Sequence, residues 1–163
     1  MANDPLLALL DRQSVQDTVL RLGQALDERD WPAVRGCLAE EIDTDYSSFR
    51  GTPPSRLPAA EFVRLRREGL AGLITQHLSL GHQIEVQGDA ATCRCDFVIH
   101  RWPADATDRR FFHSFGSYLY GLTREGEGWR IASIVQTVLR SEGDPSLHGA
   151  LRPARFPDGA FKR

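Results

Sequence analysis

An aspartate and a histidine that are distant in the sequence have the residue types of a proton-transfer pair. Asp27 lies at the end of the first helical segment, and His77 lies near the start of a strand-like segment. An imidazole with an ordinary pKa of about 6.5 exchanges a proton near neutral pH. A carboxylate that holds one ring nitrogen fixes the tautomer and leaves the other nitrogen free. The pair therefore indicates general acid–base chemistry.

Each residue also has a simpler interpretation. Asp27 can be a solvated carboxylate at a helix end, and His77 can be a half-buried histidine that makes one backbone hydrogen bond. A negative charge at a helix C-terminus opposes the helix dipole, however, so the position of Asp27 indicates a partner. Gly23, one turn earlier, leaves space beside it.

The alternation around His77 predicts an irregular strand. Strict alternation places His77 on the face opposite Ile84 and Val86, although a site histidine and core residues should share the inner face. A bulge at Gly81 would bring them to one face, since a glycine inside a strand often marks such a feature.

Three further polar residues are candidates for the site. His100 shares a strand face with Arg94 and Asp96, and this face either lines a wet cavity or contacts solvent. Tyr46 either donates its hydroxyl to a substrate carbonyl or packs with that hydroxyl at the surface. Ser114 and His113 lie on opposite strand faces, so at most one of them points inward.

The motifs of metal and cofactor sites are missing from the sequence. The five histidines form neither a His-x-His pair nor an HExxH helix, and no glycine-rich phosphate loop or dinucleotide fingerprint occurs. We therefore expect neither a metal nor a cofactor.

Composition limits the classes of partner and location. The 163 residues include 20 basic and 22 acidic side chains, and the basic residues are scattered among acids, which argues against a nucleic-acid surface. Three cysteines do not suggest a disulfide framework, and Cys93 and Cys95 are expected to pack on one strand face. No apolar run approaches the roughly 18 residues of a membrane span, and the N-terminus does not resemble a secretion signal. We expect a cytoplasmic protein that binds no membrane.

The periodicity predicts an α+β fold. Apolar spacing in residues 5–27 indicates a first helix, Asp30 caps a short second helix, and a third runs from residue 59 to about 73. A short strand is expected at 41–49 and a turn at 51–55. Four antiparallel strands follow at 74–86, 90–101, 111–123 and 129–140. We expect a cone in which three N-terminal helices pack on a strongly bent, mostly antiparallel sheet. Residues 1–142 form one domain, and 143–163 form a polar tail or lid.

Several stretches together resemble a known family. They are LDERDW at 26–31, DYSSF at 45–49, LPAAEFV at 57–63, TQH at 75–77 and GEGWRI at 126–131. The chain resembles scytalone dehydratase and its bacterial relatives, in the SnoaL-like group of the nuclear-transport-factor-2-like superfamily. The resemblance implies a cone fold and a homo-oligomer, a trimer or dimer, that packs through the outer sheet face.

The resemblance also implies roles for particular residues. Asp27 would orient the catalytic His77, His100 would be a second active-site histidine, and Tyr46 would help polarise the substrate carbonyl. The implied substrate-binding positions are Leu26, Val98, Ser114, Gly116, Ile134, Gln136 and Val138. Leu26 and Gly116 depart from the dehydratase, which has a tyrosine and an asparagine at those positions. The Asp and His positions also resemble those of hexachlorocyclohexane dehydrochlorinase, but Leu22 and Ile134 replace its basic pocket residues.

The sequence therefore predicts a cofactor-independent lyase that removes water from a cyclic or polyketide-like hydroxy-carbonyl compound. An isomerase or polyketide cyclase of the same fold is the first alternative, because one base in a pocket suffices to move a proton between carbons. A non-catalytic small-molecule-binding or assembly module is the second alternative.

Overall fold

The computed structural model describes residues 5–148 as helices packed on one face of a six-stranded sheet. The elements in chain order are α1 (Pro5–Glu28), α2 (Trp31–Gly36), β1 (Leu38–Asp45), α3 (Ser47–Arg50), β2 (Ser55–Pro58), α4 (Ala59–Gly69), β3 (Leu73–Gln87), β4 (Ala90–Pro103), β5 (Phe112–Glu125) and β6 (Gly128–Gly143). The α+β class and the mostly antiparallel sheet are confirmed, and the open, bent sheet matches the expected cone.

The long strands pair as two successive hairpins. The sheet order is β2-β1-β6-β5-β4-β3, and β1 runs parallel to β6, whereas the other neighbours are antiparallel. Gly88 and Gly126 form the hairpin turns with φ of 61° each, a conformation that favours glycine. Both predicted hairpins are thus confirmed.

The first helix is held to the sheet by its predicted apolar stripe. Val15, Val19, Leu22 and Leu26 are all buried, and α1 packs mainly against β3. Asp30 caps α2 by accepting a hydrogen bond from the backbone nitrogen of Ala33 at 3.0 Å. The end of α1 is thereby fixed beside the start of β3, where the two candidate catalytic residues lie.

The segment between β1 and α4 differs from the prediction. The strand expected at 41–49 ends at Asp45. Its last part is replaced by the single helical turn α3, which is additional to the three predicted helices. The Asp45 carboxylate accepts from the Ser47 nitrogen at 2.9 Å, and this local bond competes with strand pairing. The predicted turn at 51–55 is followed by the edge strand β2, which ends at Pro58.

The predicted irregularity in β3 is present at Gly81. The pairing with β4 shifts between Leu80 and Gln83, and Gly81 has a φ of 65°. The shift lets His77 and Ile84 both face the helices, while Leu78 and Leu80 remain exposed on the outer face. The bulge therefore solves the alternation problem posed by the sequence.

The described part of the predicted tail packs on the domain. β6 ends at Gly143, and the Asp144 side chain caps a short 3-10 turn, Pro145–Leu147, before the buried His148. The rest of the predicted tail or lid, residues 149–163, lies outside the described residues, and the boundary after residue 142 stays a prediction. Among the described helices, none is long and apolar enough to cross a membrane.

Candidate active site

The helix end and the strand start place Asp27 and His77 in direct contact. Oδ1 of Asp27 lies 2.5 Å from Nδ1 of His77. Oδ2 of the same carboxylate accepts a hydrogen bond of 2.7 Å from the backbone nitrogen of His77. The carboxylate therefore holds both the ring and the backbone of the histidine, which selects the tautomer with the proton on Nδ1.

Two further residues support this carboxylate. The Thr75 hydroxyl donates to Oδ1 of Asp27 at 2.8 Å and accepts from Nη1 of Arg29 at 3.0 Å. Arg29 also donates to the carbonyl oxygen of Leu73 at 2.5 Å and to that of Leu26. Its guanidinium thus ties the end of α1 to the start of β3, the two segments that carry the pair.

The surroundings favour an ionised Asp27 and a neutral His77. Burial lowers the pKa of His77 below 6.5, the charges of Arg101 and Arg66 add to this, and Asp27 opposes it. Burial alone would raise the pKa of Asp27, but the hydrogen bonds from His77 and Thr75 outweigh it and hold that pKa below 3.8. The charge of His77, when its ring is protonated, lowers the pKa of Asp27 as well.

Gly23 permits the close approach of α1 to His77. A Cβ atom built on this glycine would lie 3.4 Å from the Cβ of His77 and 3.7 Å from its carbonyl oxygen. Any longer side chain would meet the histidine. This explains physically why a glycine lies one turn before Asp27, as the sequence suggested.

His77 lines a cavity of about 300 Å³ between the helices and the inner face of the sheet. This volume is at the lower end of the range for small-molecule sites, about 300–1,000 Å³. Much of the wall is apolar and comes from α1, α4 and the sheet: Val19, Leu22, Leu26, Phe62, Leu70, Phe97, Ile99 and Ile134. The His77 side chain is 16% exposed.

Three tyrosines line the cavity: Tyr46, Tyr118 and Tyr120. The Tyr46 ring lies under two guanidinium groups, with its centroid 5.1 Å from Arg50 and 4.7 Å from Arg66. Nε2 of Gln136 lies 2.6 Å from the Tyr118 hydroxyl. Burial raises the pKa of Tyr118 and Tyr120 well above 10, so both stay neutral hydrogen-bonding groups.

The profile of the SnoaL-like domain family matches residues 7–135, which is most of the chain. The chain belongs to the SnoaL-like family. The predicted family is thereby confirmed. No curated protein matches the sequence.

Solved structures share the SnoaL-like fold at low sequence identity. The Kfla4162 protein from Kribbella flavida is 22% identical, with a TM-score of 0.79 over 87% of this chain and 99% of that one. A type 2 hexachlorocyclohexane dehydrochlorinase (LinA) is 14% identical, with a TM-score of 0.72 over 96% and 99%. A provisionally named scytalone dehydratase from Novosphingobium aromaticivorans is 12% identical, with a TM-score of 0.71 over 82% and 87%. At these identities the likeness concerns the fold.

Several residues that the sequence predicted for the SnoaL-like pocket do lie at the cavity. Leu26, Tyr46, Ile134 and Gln136 line it together with His77. Ser114 lies one layer behind the wall, where its hydroxyl accepts a hydrogen bond of 3.0 Å from Arg101. Ser114 is the inward member of the His113–Ser114 pair, as alternation required.

The structure corrects the expected positions of His100 and Val98. Along β4, Phe97, Ile99 and Arg101 point inward, so alternation turns Val98 and His100 to the outer face. There His100 packs on His113, with ring centroids 4.4 Å apart. Placing His100 in the site followed the family resemblance, but it shares no cavity with His77.

Gly116 and Val138, which were also expected to bind substrate, pack against other parts of the protein instead. A Cβ on Gly116 would lie 2.0 Å from the Thr137 carbonyl oxygen and 2.9 Å from the Phe97 ring, so Gly116 is needed for close strand packing. Val138 packs against Phe49 and Phe112 at the end of the cone. Neither residue lines the cavity, so both assignments are corrected as well.

The sequence did not predict the four basic side chains that line the cavity besides His77: Arg50, Arg66, Arg101 and His148. The inward alternation of Cys93, Cys95, Phe97 and Ile99 would have identified Arg101 as the next inward residue. Arg50 and Arg66 come from two separate helices, and no local pattern in the sequence connects them. His148 reaches the cavity only through the turn at 145–147.

No group of three or more histidine, cysteine or acidic side chains among residues 5–148 could hold a metal ion. The cysteines are free and buried: Cys93 and Cys95 pack on the inner face of β4, as expected. The contact between Asp27 and His77 at the cavity wall has the geometry for proton transfer by side chains.

Proposed function

We propose that this protein is a cofactor-independent dehydratase that removes water from a cyclic or polyketide-like hydroxy-carbonyl compound. The observation that carries the proposal is the 2.5 Å contact between Asp27 and His77 at the wall of a small, largely apolar cavity. An oriented, neutral imidazole in such a cavity has the properties of a general base.

His77 would serve as base and then as acid. With its Nδ1 proton held by Asp27, its free Nε2 atom would remove the proton from the carbon next to the carbonyl. The electron pair would pass to the carbonyl oxygen as an enolate. Collapse of the enolate would expel the hydroxyl group from the neighbouring carbon, and the proton on Nε2 would leave with it as water. The histidine would return to its starting state.

The enolate oxygen needs a positive or donating partner. Tyr46 is the proposed hydroxyl donor, and the cavity arginines supply positive charge. Arg101 and Arg66 act on the His77 ring electrostatically, so they also act on charge that develops beside it. His100 has no role in this reaction, because its outward position separates it from the cavity.

An isomerase or cyclase is the second candidate. It is favoured by the observation that His77 is the one base with an oriented partner among the described cavity residues, since a single base suffices to move a proton between carbons. The mass of the product separates these reactions, because elimination loses one molecule of water and isomerisation loses nothing.

The direct test is turnover of a panel of cyclic β-hydroxy ketones, such as hydroxytetralones, followed by mass spectrometry. We expect loss of water with the wild type and a rate lower by several orders of magnitude with His77→Ala. His82→Ala is the matched control, because this histidine lies on the same strand but outside the cavity lining. Activity that survives His77→Ala nearly unchanged would contradict the mechanism.

We also propose that the protein forms a homo-oligomer, a trimer or dimer, through the outer face of the sheet. Large apolar side chains are exposed on this face: Leu78, Leu80, Trp102, Leu119, Val135 and Leu139. A sheet face with this many exposed apolar side chains favours an interaction site. The cytoplasmic location and the absence of a cofactor stay predictions from the sequence.

A further inference from the structure

Three arginines line the cavity without an acidic partner. Arg50 comes from α3, Arg66 from α4 and Arg101 from β4. Among the ion pairs of residues 5–148, none joins these three guanidinium groups to a carboxylate. By contrast, the neighbouring Arg64 on the outer side of α4 pairs with Glu61 and Glu68. On this helix, Arg66 faces the cavity without the acidic partners that the outward-facing Arg64 has.

Arg101 is the most deeply placed of the three. It is 3% exposed, and its Nη1 atom donates to Ser114, but its buried Nε atom has no hydrogen-bond partner. The buried Nε atom of Arg50 is also without a partner. An unsatisfied buried donor on a charged group costs free energy, on the order of 1–3 kcal/mol or more. Because both side chains line the cavity, their unsatisfied N–H groups favour a ligand that carries hydrogen-bond acceptors.

The aromatic rings nearby compensate the charge only in part. The Arg101 guanidinium lies 5.4 Å from the Phe112 centroid and 5.8 Å from the Phe49 centroid, and Arg66 lies 4.5 Å from that of Phe62. Cation–π contacts stabilise the charge but accept no N–H hydrogen bond in the guanidinium plane. The ring contacts explain how the charged side chains are stabilised at the cavity wall. They leave the buried Nε–H groups of Arg50 and Arg101 without an acceptor.

Asp27 does not neutralise the cluster either. Its two oxygens are occupied by His77 and Thr75. Burial and the charges of the neighbouring arginines lower the pKa of Arg50 and of Arg101 to about 10, so both remain charged at neutral pH. Burial, with the charges of the three arginines, lowers the pKa of His148 well below 6.5, so this histidine stays neutral beside them.

We propose that the substrate carries a carboxylate, which Arg50, Arg66 and Arg101 bind while the apolar wall covers a ring. The planar guanidinium fork matches the two oxygens of a carboxylate. The cavity volume of about 300 Å³ suits a compound of one or two rings. This inference deepens the proposed dehydratase function, because the same cations that anchor the acid lie near the proposed base.

Binding of benzoate and of benzamide, measured by calorimetry or by NMR titration, tests the inference without any turnover. The two probes have nearly the same shape and differ in charge. We expect benzoate to bind at least tenfold more tightly than benzamide to the wild type. His77→Ala should keep this preference, which separates the result from the proposed reaction.

Substitution of a cavity arginine can be compared with substitution of an outward-facing arginine on the same helix. Arg66→Gln should weaken benzoate binding at least tenfold and leave benzamide binding unchanged, whereas Arg64→Gln on the same helix should change neither. Arg101→Met should abolish the preference, and Arg101→Lys should restore part of it. The Arg66 variant keeps the test valid if the buried Arg101 variants fold poorly.

Two results would overturn the inference. Equal binding of benzoate and benzamide to the wild type and to Arg66→Gln would show that the cluster does not recognise anions. Tighter binding of phenyl phosphate than of benzoate would show that the anion is a phosphate rather than a carboxylate. Carboxylate binding without any dehydration would instead contradict the proposed function and leave the inference intact.

Discussion

The hydroxyl of Thr75 donates to the same oxygen of Asp27 that contacts His77, at a distance of 2.8 Å. Asp27 therefore has three hydrogen bonds from one short stretch of β3: the Thr75 hydroxyl, the His77 backbone and the His77 ring. The carboxylate is fixed from the strand side, and Arg29 fixes Thr75 in turn. The imidazole is oriented by a network rather than by a single contact.

Replacing Asp27 with asparagine should remove most of the activity while the fold remains. The amide can donate to the ring nitrogen that normally carries the proton, so the ring loses its preferred tautomer. We expect a loss of about 100-fold or more, the scale of an efficient acid–base contribution. Steady-state kinetics on the dehydration substrate would measure it. Asp17→Asn, on the exposed side of the same helix, is the control.

Thr75→Val should act through the position of His77. The variant removes a buried hydrogen bond to a charged acceptor, and such a bond contributes about 1.5–3 kcal/mol to stability. We expect a lower kcat with little change in KM, together with a shift in the pKa of His77. Thr75→Ser, which retains the hydroxyl, should restore both. An unchanged His77 titration in Thr75→Val would show that the threonine has a purely structural role.

Gly23 should tolerate only small replacements. Because an added Cβ would already lie 3.4 Å from the Cβ of His77, Gly23→Val should displace the ring and lower kcat by tenfold or more. Gly36→Ala, in α2, is the control, since nothing lies within 4 Å of its added Cβ. A fully active Gly23→Val would indicate that α1 and β3 are free to separate at this point.

The structure also predicts a loss of stability in mild acid. Burial lowers the pKa of His148 and of His77 below 6.5, and nearby arginines add to the effect. The unfolded chain then binds more protons than the folded chain below about pH 6.5, so the free energy of unfolding falls as pH falls through this range. Urea unfolding at several pH values would measure this slope. His148→Phe should flatten it, and an equally steep slope in that variant would contradict the assignment.

The oligomer should depend on the outer face of the sheet. Leu139 is 78% exposed and Leu80 is 56% exposed, and both face away from the cavity. A double change to Leu80→Glu and Leu139→Glu would place charges in an apolar interface and should give monomers in analytical ultracentrifugation. Gln87→Glu, at the hairpin end of β3, should leave the assembly unchanged. A wild type that sediments as a monomer would contradict the proposed assembly.

The sequence predicted the parts of the fold that depend on local pattern. The stripe of α1, the cap at Asp30, the two hairpins and the bulge at Gly81 all follow from spacing and residue type, and all are present. The sequence did not predict the helical turn α3, because the Asp45 carboxylate accepts a hydrogen bond from the Ser47 backbone nitrogen, and this local bond overrides the strand propensity of that segment.

The site could be predicted only in part, because some of its side chains come from elements that are separate in the sequence. Asp27 and His77 were identified by chemistry, and their contact was suggested by the family resemblance. His100 was assigned to the site from that resemblance, because the strand pattern left its face either at a wet cavity or at solvent, and the structure has it on the outer face. The arginine cluster joins two helices and a strand, so its members become neighbours only in three dimensions.

We infer that Asp27 holds His77 as a neutral base, and a nitrogen-15 NMR pH titration of the histidine rings measures this property. We expect the His77 signal to show a proton on Nδ1, an unprotonated Nε2 and a pKa below 6.5, with the tautomer preference lost in Asp27→Asn. A His77 with an ordinary pKa, a proton on Nε2 and no response to Asp27→Asn would contradict it.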